Sequence, residues 1–362
     1  MEGLVNAIRL GAWVCGVILV ASAPAFAAPC TVPATCSEWV NVAQSSARLL
    51  IYRSFPLAVK NPDVTRALVV IHGAGRDADN YFQHALAAAF LAGALENTVV
   101  ISPRFASTNN GCADTVAEHE VTWQCGGPSR WTSGGAMLPN GPGTSFDVID
   151  DLLRTLARKD SFPNLGAIVV AGHSAGGQFV SRYEMANRVH DTLGLAVSYV
   201  VANPSSYAYL DAMRPSITVL SANISALGPG YVAALPATPP PPFNAFSDAR
   251  NCTTYDSWPY GLQQRVGYTA KMTDAQLQKQ LSSRKTTYLL GGLDILPLFG
   301  FDDSCAANAQ GPTRLARGLA FSRYVGERFG AKHQVAIVAA CGHNARCMFG
   351  DNVALPLLFP KQ

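Results

Sequence analysis

A continuous apolar run, Ala167 to Ala171, breaks at Gly172-His173-Ser174-Ala175-Gly176, and helical spacing begins at Gln178. The run has the length and composition of a buried strand. Phe179, Val180, Tyr183, Met185 and Ala186 recur as they would along one helix ending near Asn187. A strand that turns directly into a helix leaves little room at the turn, so small residues are needed two before and two after its apex. Gly172 and Gly176 stand at those positions, with Ser174 at the apex. This G-x-S-x-G arrangement is the pattern of a nucleophile elbow, in which the helix N-terminus directs free N–H groups at negative charge developing beside the serine hydroxyl. The spacing alone is common among Gly- and Ser-rich turns. Its weight comes from the strand before it and the helix after it.

The remaining chain supplies strands and helices in alternation. Strands are expected at Arg48–Arg53 on the sheet edge, Ala67–Ile71, Thr98–Ile101, Ala196–Val201, Thr287–Leu290 and Val335–Val338. Helices are expected from Tyr81 to about Leu95, capped by Asp77 or Asp79, from Ser145 to Lys159, and from Gln310 to Phe329. Alternation of this kind implies an α/β fold with a mainly parallel central sheet flanked by helices. Two stretches break the rhythm. Residues 104–143 are Gly-rich and irregular and carry Trp123 and Trp131. Residues 205–270 include a Pro-rich segment from Leu235 to Phe243 that excludes helix or central strand. Both read as insertions in a single domain spanning 28–362, the second as a cap over the strand C-terminal ends.

Residues 1–27 read as a secretory signal peptide. Arg9 supplies a positive start, Leu10–Ala21 an apolar stretch and Ala25-Phe26-Ala27 a small-x-small cleavage site. The apolar run is short for a membrane span, so a secreted or periplasmic protein without stable membrane insertion is expected. The cysteines agree with export. Cys15 falls in the signal and eight remain, an even number. Short-loop closure favours Cys30–Cys36, Cys112–Cys125 and Cys341–Cys347, leaving Cys252–Cys305, among many possible pairings. A formal net charge of +3 without a Lys/Arg cluster argues against a nucleic-acid partner. His119, between Glu118 and Glu120, invites a metal reading but lacks a second His nearby, and no metal site is expected.

A serine hydroxyl needs a base within reach to act as a nucleophile. His343 is the best placed, just beyond the last strand and preceded by Gly342. The imidazole needs a carboxylate behind it. Asp294 lies four residues past Leu290 and is preferred. Asp302, further along the same loop, is the fallback. A tetrahedral oxyanion needs two backbone donors. The N–H of Ala175 is one, and the turn His72-Gly73-Ala74-Gly75 offers the other, at Ala74 or next at Gly73. His72, Trp131, Trp258 and Tyr260 are candidate substrate-binding residues, the aromatic ones alternatively holding the insertions together.

The elbow at 172–176, the His72–Gly75 turn and the order Ser174, Asp294, His343 resemble the α/β-hydrolase superfamily, over about residues 47–350. The resemblance implies a Ser nucleophile, an Asp acid, a His base, no cofactor and a variable cap. The region after Ile101 is longer than in a minimal member, which implies a site roofed by two insertions. Exported, disulfide-bearing members include lipases, feruloyl-type esterases and polyester hydrolases, and no motif here selects among them. The expectation is an exported serine hydrolase cleaving a small or polymeric carboxylic ester. A peptidase or amidase on the same machinery and a non-catalytic binding protein are the alternatives. Oligomeric state is not legible.

Overall fold

The computed structural model describes residues 28–42, 46–139, 141, 143–216, 241–298 and 300–361. The expected signal peptide and most of the Pro-rich segment lie outside the described residues. Eight strands form one sheet: β1 (Ser37–Asn41), β2 (Arg48–Arg53), β3 (Arg66–Ile71), β4 (Thr98–Pro103), β5 (Ala167–His173), β6 (Ala196–Ala202), β9 (Lys285–Gly291) and β10 (Gln334–Val338). Two short strands between them in sequence, β7 (Met213–Pro215) and β8 (Phe243–Ala245), pair only with each other. The sheet order is β1-β2-β4-β3-β5-β6-β9-β10. The β1–β2 and β2–β4 pairs are antiparallel and all the others parallel.

The inner parallel strands β3 to β6 and β9 are almost wholly buried because helices cover both faces, and alternate side chains serve opposite layers, while the edge strand β10 buries only Val338. Leu68, Val70, Val100, Val169 and Val200 pack with Phe82 of α1 (Ala78–Leu91) and with Met348 and Phe349 of the short helix Ala345–Gly350. Val69, Ile71, Ile101, Val170 and Val201 face the other way. They meet Ile149 and Leu153 of α2 (Ser145–Leu156), Phe179 and Tyr183 of α3 (Ala175–Ala186), and Phe321 of the helix Arg314–Phe329.

Three features differ from the sequence expectation. The sheet edge is β1, not β2: Ser37–Asn41 alternates half-buried and exposed, and so has no apolar run to mark it. Asp77 occupies the N-cap position of α1, yet its side chain makes no cap hydrogen bond. A helix at Asp274–Ser283 was not expected. It buries only Leu277 and Leu281, and a reciprocal Thr273–Gln276 capping box starts it.

The two irregular stretches meet each other. Trp258 Nε1 donates to Ser133 O (3.1 Å), and the Tyr268 amide donates to Gly134 O (3.0 Å). Arg182 of α3 reaches up between them, donating to Pro259 O (3.1 Å), Thr132 O (3.3 Å) and Ser206 Oγ (3.1 Å). Burial pushes its guanidinium down to about 9. The cysteines pair as short-loop closure favoured, with Cα–Cα separations of 5.6, 6.0, 5.8 and 5.8 Å for Cys30–Cys36, Cys112–Cys125, Cys252–Cys305 and Cys341–Cys347.

Candidate active site

Ser174 sits between β5 and α3 with φ of 60°, a conformation few non-glycine residues adopt. Its neighbours explain how the turn closes. A Cβ on Gly172 would lie 2.3 Å from Gly176 O, and one on Gly176 would lie 2.1 Å from Ile71 O. A Cβ on Gly177 would lie 2.4 Å from Ala202 O. At these glycines the start of the helix therefore meets three strands backbone to backbone, and Ser174 is held at its N-terminus.

His343 follows β10 in the loop opened by Cys341 and Gly342. Its Nε2 lies 2.9 Å from Ser174 Oγ, and its Nδ1 lies 2.7 Å from Asp294 Oδ2. Asp294 follows β9 in a turn closed by its own amide on Gly291 O (3.1 Å). All three side chains thus converge at the C-terminal edge of the parallel sheet. Asp302, the alternative acid, is not behind the imidazole. Tyr260 Oη (2.8 Å) and Ser304 Oγ (2.7 Å) donate to its carboxylate. Burial opposes its ionisation, but those hydrogen bonds and the Arg130 charge outweigh burial and hold the carboxyl below its usual range.

Three residues that support this geometry escaped the sequence reading. Arg314 is fully buried and donates to Asp294 Oδ1 (3.5 Å), Ser205 Oγ (2.7 Å) and Leu298 O (2.8 Å), fixing the acid's loop. Asn203, with φ of 44°, accepts from the Gly291 amide (2.7 Å) and donates to Gly342 O (3.3 Å), tying the acid's strand to the histidine's loop. Tyr81 Oη lies 3.1 Å from Nδ1 of His173, whose ring centroid is 4.6 Å from that of His343. Burial, then the His343 and Arg314 charges, hold His173 neutral. No local sequence pattern marks any of these.

The second backbone-donor loop runs alongside the serine: a Cβ built on Gly73 would lie 3.7 Å from Ser174 Cβ. Ala175 opens α3, where first-turn amides have no partner within the helix. Ala74 and Ala175 both line a cavity of about 310 Å³. Ala74 also lines a second, of about 430 Å³, that holds Ser174, His173 and His343.

The substrate-binding expectation divides. Trp131 lines the smaller cavity, stacked 5.4 Å from Phe105. Trp258 is buried against Ser133, and Tyr260 is tied to Asp302. Neither is among the residues that line the two cavities. His72 is fully buried, its Nδ1–H donating to Gly73 O (2.9 Å) and its Nε2 accepting from the Phe105 amide (2.9 Å). It shapes the donor loop and touches neither cavity. The group Glu118, His119 and Glu120 is dispersed: Glu120 pairs with Arg104 at 3.1 Å, while His119 is exposed beside Glu118. Among the described residues no His, Cys, Asp or Glu cluster could hold a metal ion.

Burial pushes His72 down to about 4, and His173 shifts the same way. In the unfolded chain both titrate near their ordinary value, so below about pH 6.5 the unfolded state binds protons that the folded state refuses. Stability is full above that pH and is lost as pH falls toward 4, by about 3 kcal/mol from His72 alone. Urea midpoints between pH 7 and 4 check this. The His72→Asn variant should show a shallower acid decline, and an equal decline in both proteins would contradict it.

A family model described as the alpha/beta hydrolase family matches residues 68–355. No match was found among curated proteins. The chain is similar in structure to LpqC, a poly(3-hydroxybutyrate) depolymerase from Bordetella parapertussis. That likeness has 20% identity, a TM-score of 0.56, and covers 89% of this chain and 90% of that one. It is similar also to poly(aspartic acid) hydrolase-1 from Sphingomonas sp. KT-1, at 20% identity and a TM-score of 0.56, over 89% of this chain and 97% of that one.

Proposed function

The chain belongs to the alpha/beta hydrolase family, and from that premise we propose that it is an exported serine hydrolase of carboxylic esters. The observation that carries this reading is the series of hydrogen bonds from Ser174 Oγ to His343 and from His343 to Asp294. Ser174 attacks the acyl carbonyl as His343 Nε2 takes its proton. Asp294 holds the imidazole with Nδ1 protonated and stabilises the imidazolium that forms. The oxyanion is received by the amides of Ala175 and Ala74, whose charge-ready dipoles need no reorganisation. His343 then returns the proton to the leaving alcohol, and water resolves the acyl-enzyme by the same route in reverse. No cofactor enters this scheme.

Export is supported by four disulfide pairs, which persist in oxidising compartments, and by the signal-like pattern at 1–27. Among the described residues no helix is long and apolar enough to cross a membrane. We read 28–362 as one unit, with 104–143 and 205–270 as insertions that meet beside the site.

Paired assays with p-nitrophenyl acetate and a peptide p-nitroanilide test the bond. The expected result is steady ester turnover with anilide turnover lower by at least about 100-fold, since the amine leaves far less readily. Preferred cleavage of the anilide would replace the ester reading by a peptidase or amidase.

A further inference from the structure

The cavity holding Ser174 does not end at His343. It shares His84 and Asn344 with a neighbouring groove of about 850 Å³ whose walls carry Ala87, Phe90 and Leu91 on one side and Arg346, Cys347 and Gly350 on the other. The first wall is α1, the helix that leaves the donor loop. The second is the short helix that leaves His343. His84, Ala87 and Leu91 recur at helical spacing and so form one stripe pointing away from the serine. Phe349 and Tyr81 meet edge to face at 6.5 Å and join the two helices beneath it. From Tyr81 to Leu91 the stripe is about 15 Å long.

Two properties of this groove have no use in the mechanism. Phe90 is 72% exposed and Leu91 59%, on adjacent positions of a helix whose other apolar residues are mostly buried. Large apolar side chains presented together at a rim mark a binding surface more often than chance. The groove is also continuous with the cavity on the imidazole's side. His343 must protonate the leaving oxygen, so that is the side on which the alcohol part of an ester lies. The smaller cavity, bounded by Ala175, Gln178 and Trp131, shares no lining residue with this groove.

We propose that the groove between α1 and the helix Ala345–Gly350 is an alcohol-side subsite that binds an extended apolar chain on the leaving group of the ester. This deepens the ester-hydrolase reading and rests on it. The chain could be one long alkyl alcohol or the continuing strand of an aliphatic polyester. Both present the same methylene-rich surface to Phe90 and Leu91. The charged Arg346 and Asp351 also line the groove and leave such a chain partly wet along one side.

The test is kcat/KM for ethyl, butyl, hexyl and octyl acetate below their solubility limits, in the wild type and the double variant Phe90→Asp/Leu91→Asp. Both positions are exposed, so the variant should fold, and a urea midpoint equal to that of the wild type verifies that it does. In the wild type, kcat/KM should rise by about tenfold or more from ethyl to octyl, as burial of methylenes requires. In the variant the rise should vanish, while the dependence on acyl length in p-nitrophenyl acetate to octanoate stays unchanged. A flat alcohol series in the wild type, a rise that survives in the variant, or a variant that flattens the acyl series instead overturns the proposal. Dispersed aliphatic polyester separates the two sources: loss on particles and octyl acetate together assigns a polymer chain, and loss on octyl acetate alone a single alkyl chain. A wild type that turns over no ester, including p-nitrophenyl acetate, defeats the ester reading itself, and this proposal with it.

Discussion

Ser174→Ala lowers kcat for p-nitrophenyl acetate by about 10⁵-fold or more, with little change in KM or in the urea midpoint. The size follows from what is removed. The hydroxyl is the atom that would bond the acyl carbon, so without it only direct attack by water remains, helped by His343 and the two backbone donors. The fold should tolerate the change. Ser174 is 7% exposed, its side chain does not cap α3, and its one recorded side-chain hydrogen bond is with His343. Alanine occupies the same left-handed conformation at similar cost. A variant that keeps more than about a hundredth of wild-type turnover would place the nucleophile elsewhere.

Asp294→Asn lowers kcat by about 10⁴-fold, because an amide behind Nδ1 favours the wrong tautomer and no longer stabilises the imidazolium. This carboxylate has a second duty, however. Arg314 is buried beside it, and neutralising the acid removes the carboxylate charge that faces that guanidinium. Stability should therefore also fall, by about 3 kcal/mol. Asp302→Asn separates the two effects. Asp302 is held by Tyr260 and Ser304 and lines the smaller cavity, so its loss should raise KM and leave kcat within about tenfold. Equal losses of kcat in the two variants would remove the distinction between them.

Much of this arrangement is legible in the sequence, for reasons that differ from element to element. The elbow could be read because an apolar strand, a glycine pair and a helical stripe are all local. The contacts of Gly172 and Gly176 are what their small size implied. The central strands were legible because burial on both faces demands unbroken apolar runs, as in Ala67–Ile71. Strand β1 was not, because an edge strand half in solvent can carry Glu38 and Asn41. The choice of Asp294 over Asp302 followed from distance along the chain past β9. What the alternative carboxylate does depended on Tyr260, 42 residues away, which no local pattern reports. The surroundings of His72 and Trp258 are not legible in the sequence, for a common reason. A polar or aromatic residue near a catalytic loop looks available to substrate in one dimension, and packing against the insertions hides it in three. The supporting contacts of Arg314 and Asn203 join segments 20 and 139 residues apart and had no sequence signature.

The central claim is that Ser174 is made nucleophilic by His343 and Asp294. Labelling with a fluorophosphonate probe, read by intact mass and peptide mapping, tests it most directly, because the probe reacts only with an activated serine hydroxyl. One adduct per chain is expected, on the peptide carrying Ser174, absent in Ser174→Ala and slowed by at least about 100-fold in His343→Ala. A folded wild-type protein that takes up no probe, or one labelled at a different serine, would contradict it.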